Sequence, residues 1–248
     1  MMNSILKSVQ AELADSGLAI AADKKQLMTD GQYLAAHKNQ LNYLFKTCKK
    51  YYEPGAKFLD IGSSFGYPCL GAKLIGYDAY GLDVPEMVAK FAARFKYFGI
   101  ENIASDLSLK KSPFSSRKFD MILVSAIPES ADYQATRFFG EVARLLKPGG
   151  VVIMAAANLL RFRHLAKILL SLKRHRQIKS KPSGDYYYEF AATELSYLLT
   201  KNGLNVEQVK YRNFNHAGSA WLGQKLFNYL SGLLWPHRKG NLVVTARK

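Results

Sequence analysis

Between Lys57 and Glu86 the chain passes from a short apolar run, Phe58-Leu59-Asp60-Ile61, through Gly62-Ser63-Ser64-Phe65-Gly66 into an apolar helical stretch that ends at Gly76. It then reads Ala79-Tyr80-Gly81-Leu82-Asp83-Val84-Pro85. Strand, glycine-serine turn, helix and second strand constrain the fold more than any other feature, because two parallel strands need a crossover connection and its hand is fixed. Gly62 and Gly66 allow a sharp turn and a close approach of backbone to a ligand. Asp83, 23 residues after Asp60, ends the second strand, where a carboxylate can accept both hydroxyls of a ribose. This is the layout of a nucleotide-binding half-site.

These residues resemble the class I S-adenosylmethionine-dependent methyltransferases, whose first motif is an apolar strand ending in Asp-x-Gly-x-Gly-x-Gly. Ser64 stands here at the middle glycine. The acid at the end of strand one argues against NAD, since it would repel a pyrophosphate and attract the ammonium of a methionine tail. The expected cofactor is therefore cationic rather than phosphorylated, and the resemblance implies S-adenosylmethionine, with Asp60, Gly62, Ser63, Ser64, Gly66, Asp83 and Val84 around it and no metal.

The pattern continues. Pro85 opens a helix whose apolar face is Met87, Val88, Phe91, Phe95 and Phe98, closed by Gly99. Glu101 to Leu107 reads as a third strand, and the resemblance places Asp106 and Leu107 at the adenine. Phe119-Asp120-Met121-Ile122-Leu123-Val124-Ser125 is a near-continuous apolar strand, as a parallel strand buried on both faces requires. Ser125 falls at the family's fourth motif and lacks the Asn/Asp-Pro-Pro-aromatic run of amino-methylating relatives. A helix from Phe138 to Leu146, Lys147-Pro148-Gly149-Gly150 and a strand Val151 to Met154 extend the likeness to Ala157. The fold class that follows is α/β, a doubly wound, mostly parallel, seven-stranded Rossmann-like sheet with ligands at the carboxyl ends of its strands. The resemblance makes the fifth and sixth strands parallel and the last antiparallel.

Residues 1–50 have loose helical spacing, broken at Asp30-Gly31, and are expected to form a helical cap, with 51–248 as the methyltransferase domain. Tyr33 and His37 fall where such a cap can reach the cofactor, ordinary packing being the simpler reading of each. Insertions are expected at about 158–190 and 213–240. The first carries Phe162, Leu165, Ile168, Leu169 and Leu172 at helical spacing, with eight cations and no acid from Arg161 to Lys181. The second carries an apolar stretch from Trp221 to Trp235.

Charge divides along the same line, since residues 1–150 carry a net +4 and residues 151–248 a net +12. A basic, apolar collar suits an anionic membrane surface, a nucleic acid or a solvated lid. No window has the roughly 18 uncharged apolar residues of a bilayer span, and Cys48 and Cys69 have no metal-ligand spacing, so a cytoplasmic protein with reduced thiols is expected. The expected activity is O-methylation of a saccharide or lipid-linked substrate, such as a glycolipid, on the inner face of the membrane. An RNA methyltransferase and a cofactor-binding interaction protein without turnover are the alternatives. Candidate bases are His164 and Tyr186, with Asp185 and His216 behind them. A tyrosine, with an ordinary pKa of about 10, makes a poor base at neutral pH.

Overall fold

Strand β1 (Lys57–Ile61) lies in the interior of a seven-stranded sheet in the order β3-β2-β1-β4-β5-β9-β8. The other strands are β2 (Asp78–Asp83), β3 (Glu101–Ala104), β4 (Phe119–Val124), β5 (Leu146–Ala157), β8 (Asn205–Arg212) and β9 (Asn241–Arg247). A separate antiparallel pair joins β6 (Gln177–Lys179) to β7 (Tyr186–Tyr188). The computed structural model describes residues 2–18, 29–107, 110–125, 135–160, 177–179, 186–188, 190–214, 237 and 239–248. From β3 to β5 every pairing is parallel, whereas β9 runs antiparallel to both β5 and β8. The sheet is thus mixed, and β5 and β8 share a direction, as expected.

Alternation explains the apolar strands. Met121 and Leu123 of β4 join Phe58, Val151, Ile153 and Val243 on one face, against Leu44 and Cys48 of α2 (Asp30–Cys48) and Ala72 of α3 (Tyr67–Leu74). Ile122 and Val124 join Leu59, Ile61, Val152 and Met154 on the other, against Phe138, Phe139 and Val142 of α5 (Ala135–Leu145) and Leu195 and Leu199 of α6 (Ala192–Lys201). With helices on both sides no residue from Met121 to Val124 can be polar at low cost, and each buried aliphatic or aromatic side chain contributes roughly 1.5–3 kcal/mol.

Three boundaries differ from expectation for local reasons. Asp30-Gly31 does not break the cap; it is the first turn of α2, opened by a capping box in which Thr29 Oγ1 accepts from Gln32 N at 3.2 Å and Gln32 Oε1 accepts from Thr29 N at 3.0 Å. Strand β3 ends at Ala104, its last ladder bond running from Ser105 N to Asp83 O at 2.8 Å. Strand β5 begins at Leu146, taking in the Lys-Pro-Gly-Gly segment, which is held by Gly149 N to Lys248 O and Lys248 N to Gly150 O, each 2.9 Å.

The roots of both insertions meet at the carboxyl edge. Ala157 pairs with Asn241, and Asn241 with Arg212. Buried Asn158 donates from Nδ2 to His237 O at 2.9 Å and Lys239 O at 2.7 Å, while its backbone N–H donates to Gly240 O at 3.0 Å. The basic and apolar stretches at 161–176 and 215–236 lie outside the described residues.

Candidate cofactor site

The turn after β1 is built from left-handed backbone. Gly62, Ser64 and Gly66 have φ of 80°, 42° and 83°. Gly62 N and Ser63 N both donate to Leu82 O, at 2.8 and 3.2 Å, which lays the turn against the end of β2. At Gly66 a Cβ would stand 3.0 Å from the Phe95 ring, so that position needs glycine for space as well as for φ. Ser64 bears the cost of a side chain in this region, on the order of 1–2 kcal/mol. Its N–H points at Asp83, where Oδ2 accepts it at 2.6 Å.

Asp83 Oδ1 accepts from Val84 N at 2.7 Å, so both oxygens of the carboxylate are fixed in orientation. Each retains a second lone pair, and the side chain is partly exposed. Burial pushes the Asp83 carboxyl up and the two backbone N–H groups pull it down, with burial the larger effect. Val84, 37% exposed, puts an apolar surface beside it.

Asp60 corrects the sequence reading. It is the penultimate residue of β1, in register with Gly81 and Leu123, and its side chain is fully buried rather than open to an ammonium group. A strand covered on both faces keeps the carboxylate beneath the turn. Oδ2 lies 3.8 Å from Cys69 Sγ, which also donates to Tyr80 O at 3.4 Å, and Oδ1 has no partner among the described residues. Burial, reinforced by the charge of Asp83, holds the Asp60 carboxyl well above the usual carboxylate range. Asp60 therefore lies beneath the backbone of the turn, with burial favouring its protonated form.

Several members of the site went unread in the sequence. Asp60, Gly81 and Asn102 form one row across β1, β2 and β3. A Cβ on Gly81 would come within 2.5 Å of Asn102 Oδ1 and 2.9 Å of Phe95, so the missing side chain makes room for the carboxamide. Asn102 Oδ1 accepts from Ser63 Oγ at 3.0 Å. A glycine and an asparagine inside short strands were the available signal. Arg94 of α4 (Pro85–Tyr97) is buried, pairs with Asp30 through both terminal nitrogens at 2.9 and 3.1 Å, and donates to Phe65 O at 3.1 Å and Leu18 O at 2.8 Å. Tyr67 OH donates to Asp30 Oδ1. One guanidinium thus ties α1 (Met2–Asp15), through the residues just after it, and α2 to the cofactor turn. Tyr33 stacks on His37 and Tyr67, with ring centroids 4.0 and 4.7 Å apart, and lies against Phe65, so both cap aromatics are engaged in packing.

Among the other expected residues, Asp106 is partly buried next to Ser105, Leu107 turns its side chain into the core, and Ser125 lies half-buried just beyond β4. His164, Asp185 and His216 lie outside the described residues, and Tyr186 is described only as backbone at the start of β7. The residues present fit a cationic nucleoside. Asp83 offers oriented acceptors to a diol, and buried Asp60 Oδ1, Asn102 Nδ2 and Ser105 Oγ are polar atoms without partners among the described residues.

Residues 59–154 match the family model described as a methyltransferase domain. No curated protein matches the chain. An S-adenosylmethionine-dependent methyltransferase from Mesorhizobium loti has a similar structure, with a TM-score of 0.60 at 20% identity over 88% of this chain and all of that one. One from Methanosarcina mazei reaches 0.59 at 19% identity, over 82% and 96%. A third, from Archaeoglobus fulgidus, reaches 0.58 at 14% identity, over 87% and 99%.

Proposed function

We propose, from the premise that the chain is a class I S-adenosylmethionine-dependent methyltransferase, that its acceptor is a hydroxyl on an anionic, amphiphilic saccharide or lipid-linked molecule met at a membrane surface. The observation that carries this reading is the convergence of both insertion roots on the carboxyl edge, pinned by Asn158, on the same edge as the turn at 62–66. The sequence of those insertions is basic and apolar together, which suits a charged head and a greasy tail. No helix among the described residues is long and apolar enough to cross a membrane, so the proposed contact is peripheral.

S-adenosylmethionine supplies an electrophilic methyl group on a sulfonium. Asp83 holds the ribose diol, the row of Asp60, Gly81 and Asn102 lies beneath the turn under the methionine end, and the turn itself presents backbone. Orientation of the acceptor oxygen is expected to provide most of the acceleration. His164 is the base we assign, because imidazole titrates near neutrality.

Radiolabelled methyl transfer tried on a membrane glycolipid extract and on RNA, with co-sedimentation on anionic vesicles at low salt, tests the reading. Label in the lipid fraction and salt-sensitive vesicle binding are expected. Label in RNA alone would give the protein a nucleic-acid substrate, and cofactor binding with no label in either would make it a binding protein.

A further inference from the structure

Among the described residues, one cation on the carboxyl edge has no anion beside it. Arg212, the last residue of β8, lies over the ring of Tyr43 from α2, its guanidinium carbon 4.8 Å from the ring centroid. Tyr43 is steadied in turn by Phe214, with centroids 5.8 Å apart. The Arg212 Nε is shut off from solvent with no acceptor, no described residue pairs with the charge, and the side chain as a whole stays partly exposed. Arg94 and Arg144 show what this chain does with arginines it needs for structure, since each is enclosed by a carboxylate and backbone carbonyls. Stacking on a ring offsets only part of the hydration that a guanidinium gives up. The ring contact also restrains the guanidinium, whose planar fork of donors suits bidentate binding of an oxyanion.

Position adds the ligand. Arg212 is in register with Asn241, which pairs with Ala157, so the fork stands at the roots of both insertions. Four strand spacings separate β8 from β1, a distance of about 19 Å along the edge. A group bound there is too far away to be the methyl acceptor and is the remote handle of an extended substrate.

We propose that Arg212, held over Tyr43, binds a phosphoryl oxyanion carried by the acceptor at the end remote from methyl transfer. For the identity of that acceptor the proposal rests on the reading above; for binding of the oxyanion it does not.

The test is calorimetric titration of the full chain with inorganic pyrophosphate, comparing wild type with R212Q, R212K, Y43L and K210Q, the last removing the same charge from the same strand. Wild type is expected to bind saturably, R212Q at least about tenfold more weakly, R212K and Y43L in between, and K210Q close to wild type. Cofactor affinity and the thermal midpoint of R212Q are expected to stay close to wild-type values, because among the described residues the arginine loses only its contact with the Tyr43 ring and no ion pair or hydrogen bond. Equal weakening by R212Q and K210Q would reduce the effect to diffuse charge and overturn the site, as would unsaturable binding by wild type or a large fall in the R212Q midpoint. Phosphatidylglycerol vesicles, against phosphatidylcholine, separate the sources. Vesicle binding weakened by R212Q places the phosphoryl group on a lipid, and loss of pyrophosphate binding alone places it on a soluble acceptor. If pyrophosphate binding depends on Arg212 while no glycolipid fraction takes label, the acceptor reading fails and the site stands. If the fraction takes label equally with wild type and R212Q below saturation, the site fails and the acceptor reading stands.

Discussion

The two ends of the carboxyl edge are organised on opposite principles. Around β1 and β2 the two key charged side chains are fixed in advance: Arg94 is closed by Asp30 and two carbonyls, and Asp83 is oriented by Ser64 and Val84. Around β8 and β9 a guanidinium lies over a ring with no anion from the described residues. Preorganisation suits a ligand that is the same in every turnover, and an unpaired charge suits one that brings its own counterion. The contrast teaches that the cofactor end is a structural element in its own right and the acceptor end is completed by what it binds.

The largest expected effect attacks the first end. Arg94→Ala removes the cation paired with the buried Asp30 carboxylate, and should cost about 3–5 kcal/mol of stability in urea unfolding, against little change for R212Q. Similar losses in the two variants would erase the contrast. Next, Asp83→Ala removes the acceptor for two backbone N–H groups and for the ribose, and should weaken S-adenosylmethionine by about 1–3 kcal/mol in calorimetry; unchanged affinity would move the ribose elsewhere.

A third prediction concerns Asp60. Its folded-state pKa is raised, so the folded chain holds a proton that the unfolded chain releases near pH 4. The stability this contributes is fully present below that pH and is lost as pH rises toward the folded value, with a slope of up to about 1.4 kcal/mol per unit. Asp60→Asn should flatten that part of the profile of urea unfolding against pH; an unaltered slope would mean that Asp60 is ionised in the free protein. The smallest effect is at Ser64. Replacement by glycine relieves the left-handed side chain at some cost in unfolded-state entropy, a net gain of about 0.5 kcal/mol, with cofactor affinity unchanged; a thermal midpoint at or below wild type would show that the serine side chain makes a compensating contact.

The first end was also the readable one. Phe58 to Gly66 and Ala79 to Asp83 could be placed because period, glycine and terminal carboxylate are local signals, and a mostly parallel, doubly wound sheet followed from their alternation with helices. The depth of Asp60 was not legible, because a motif shows which residue is present and not how deep a strand covered on two faces carries it. Arg94 was invisible as a partner of Asp30, 64 residues away, since helical spacing in α4 marks its apolar face and says nothing of what a cation on that helix reaches. Arg212 and Tyr43 meet only because β8 ends where α2 crosses the sheet, a juxtaposition that topology creates and composition hides.

Asp83 touches three separate connections. Its carboxylate accepts from the turn after β1 and from the start of α4, and its carbonyl accepts from Ser105 after β3. Those loops consequently share a single point of reference, and a change in one shifts the frame in which the other two are read. Across descendants of this chain, variation in the three should be correlated rather than independent, with the donor's pose as the inherited constant while the acceptor end is free to diverge.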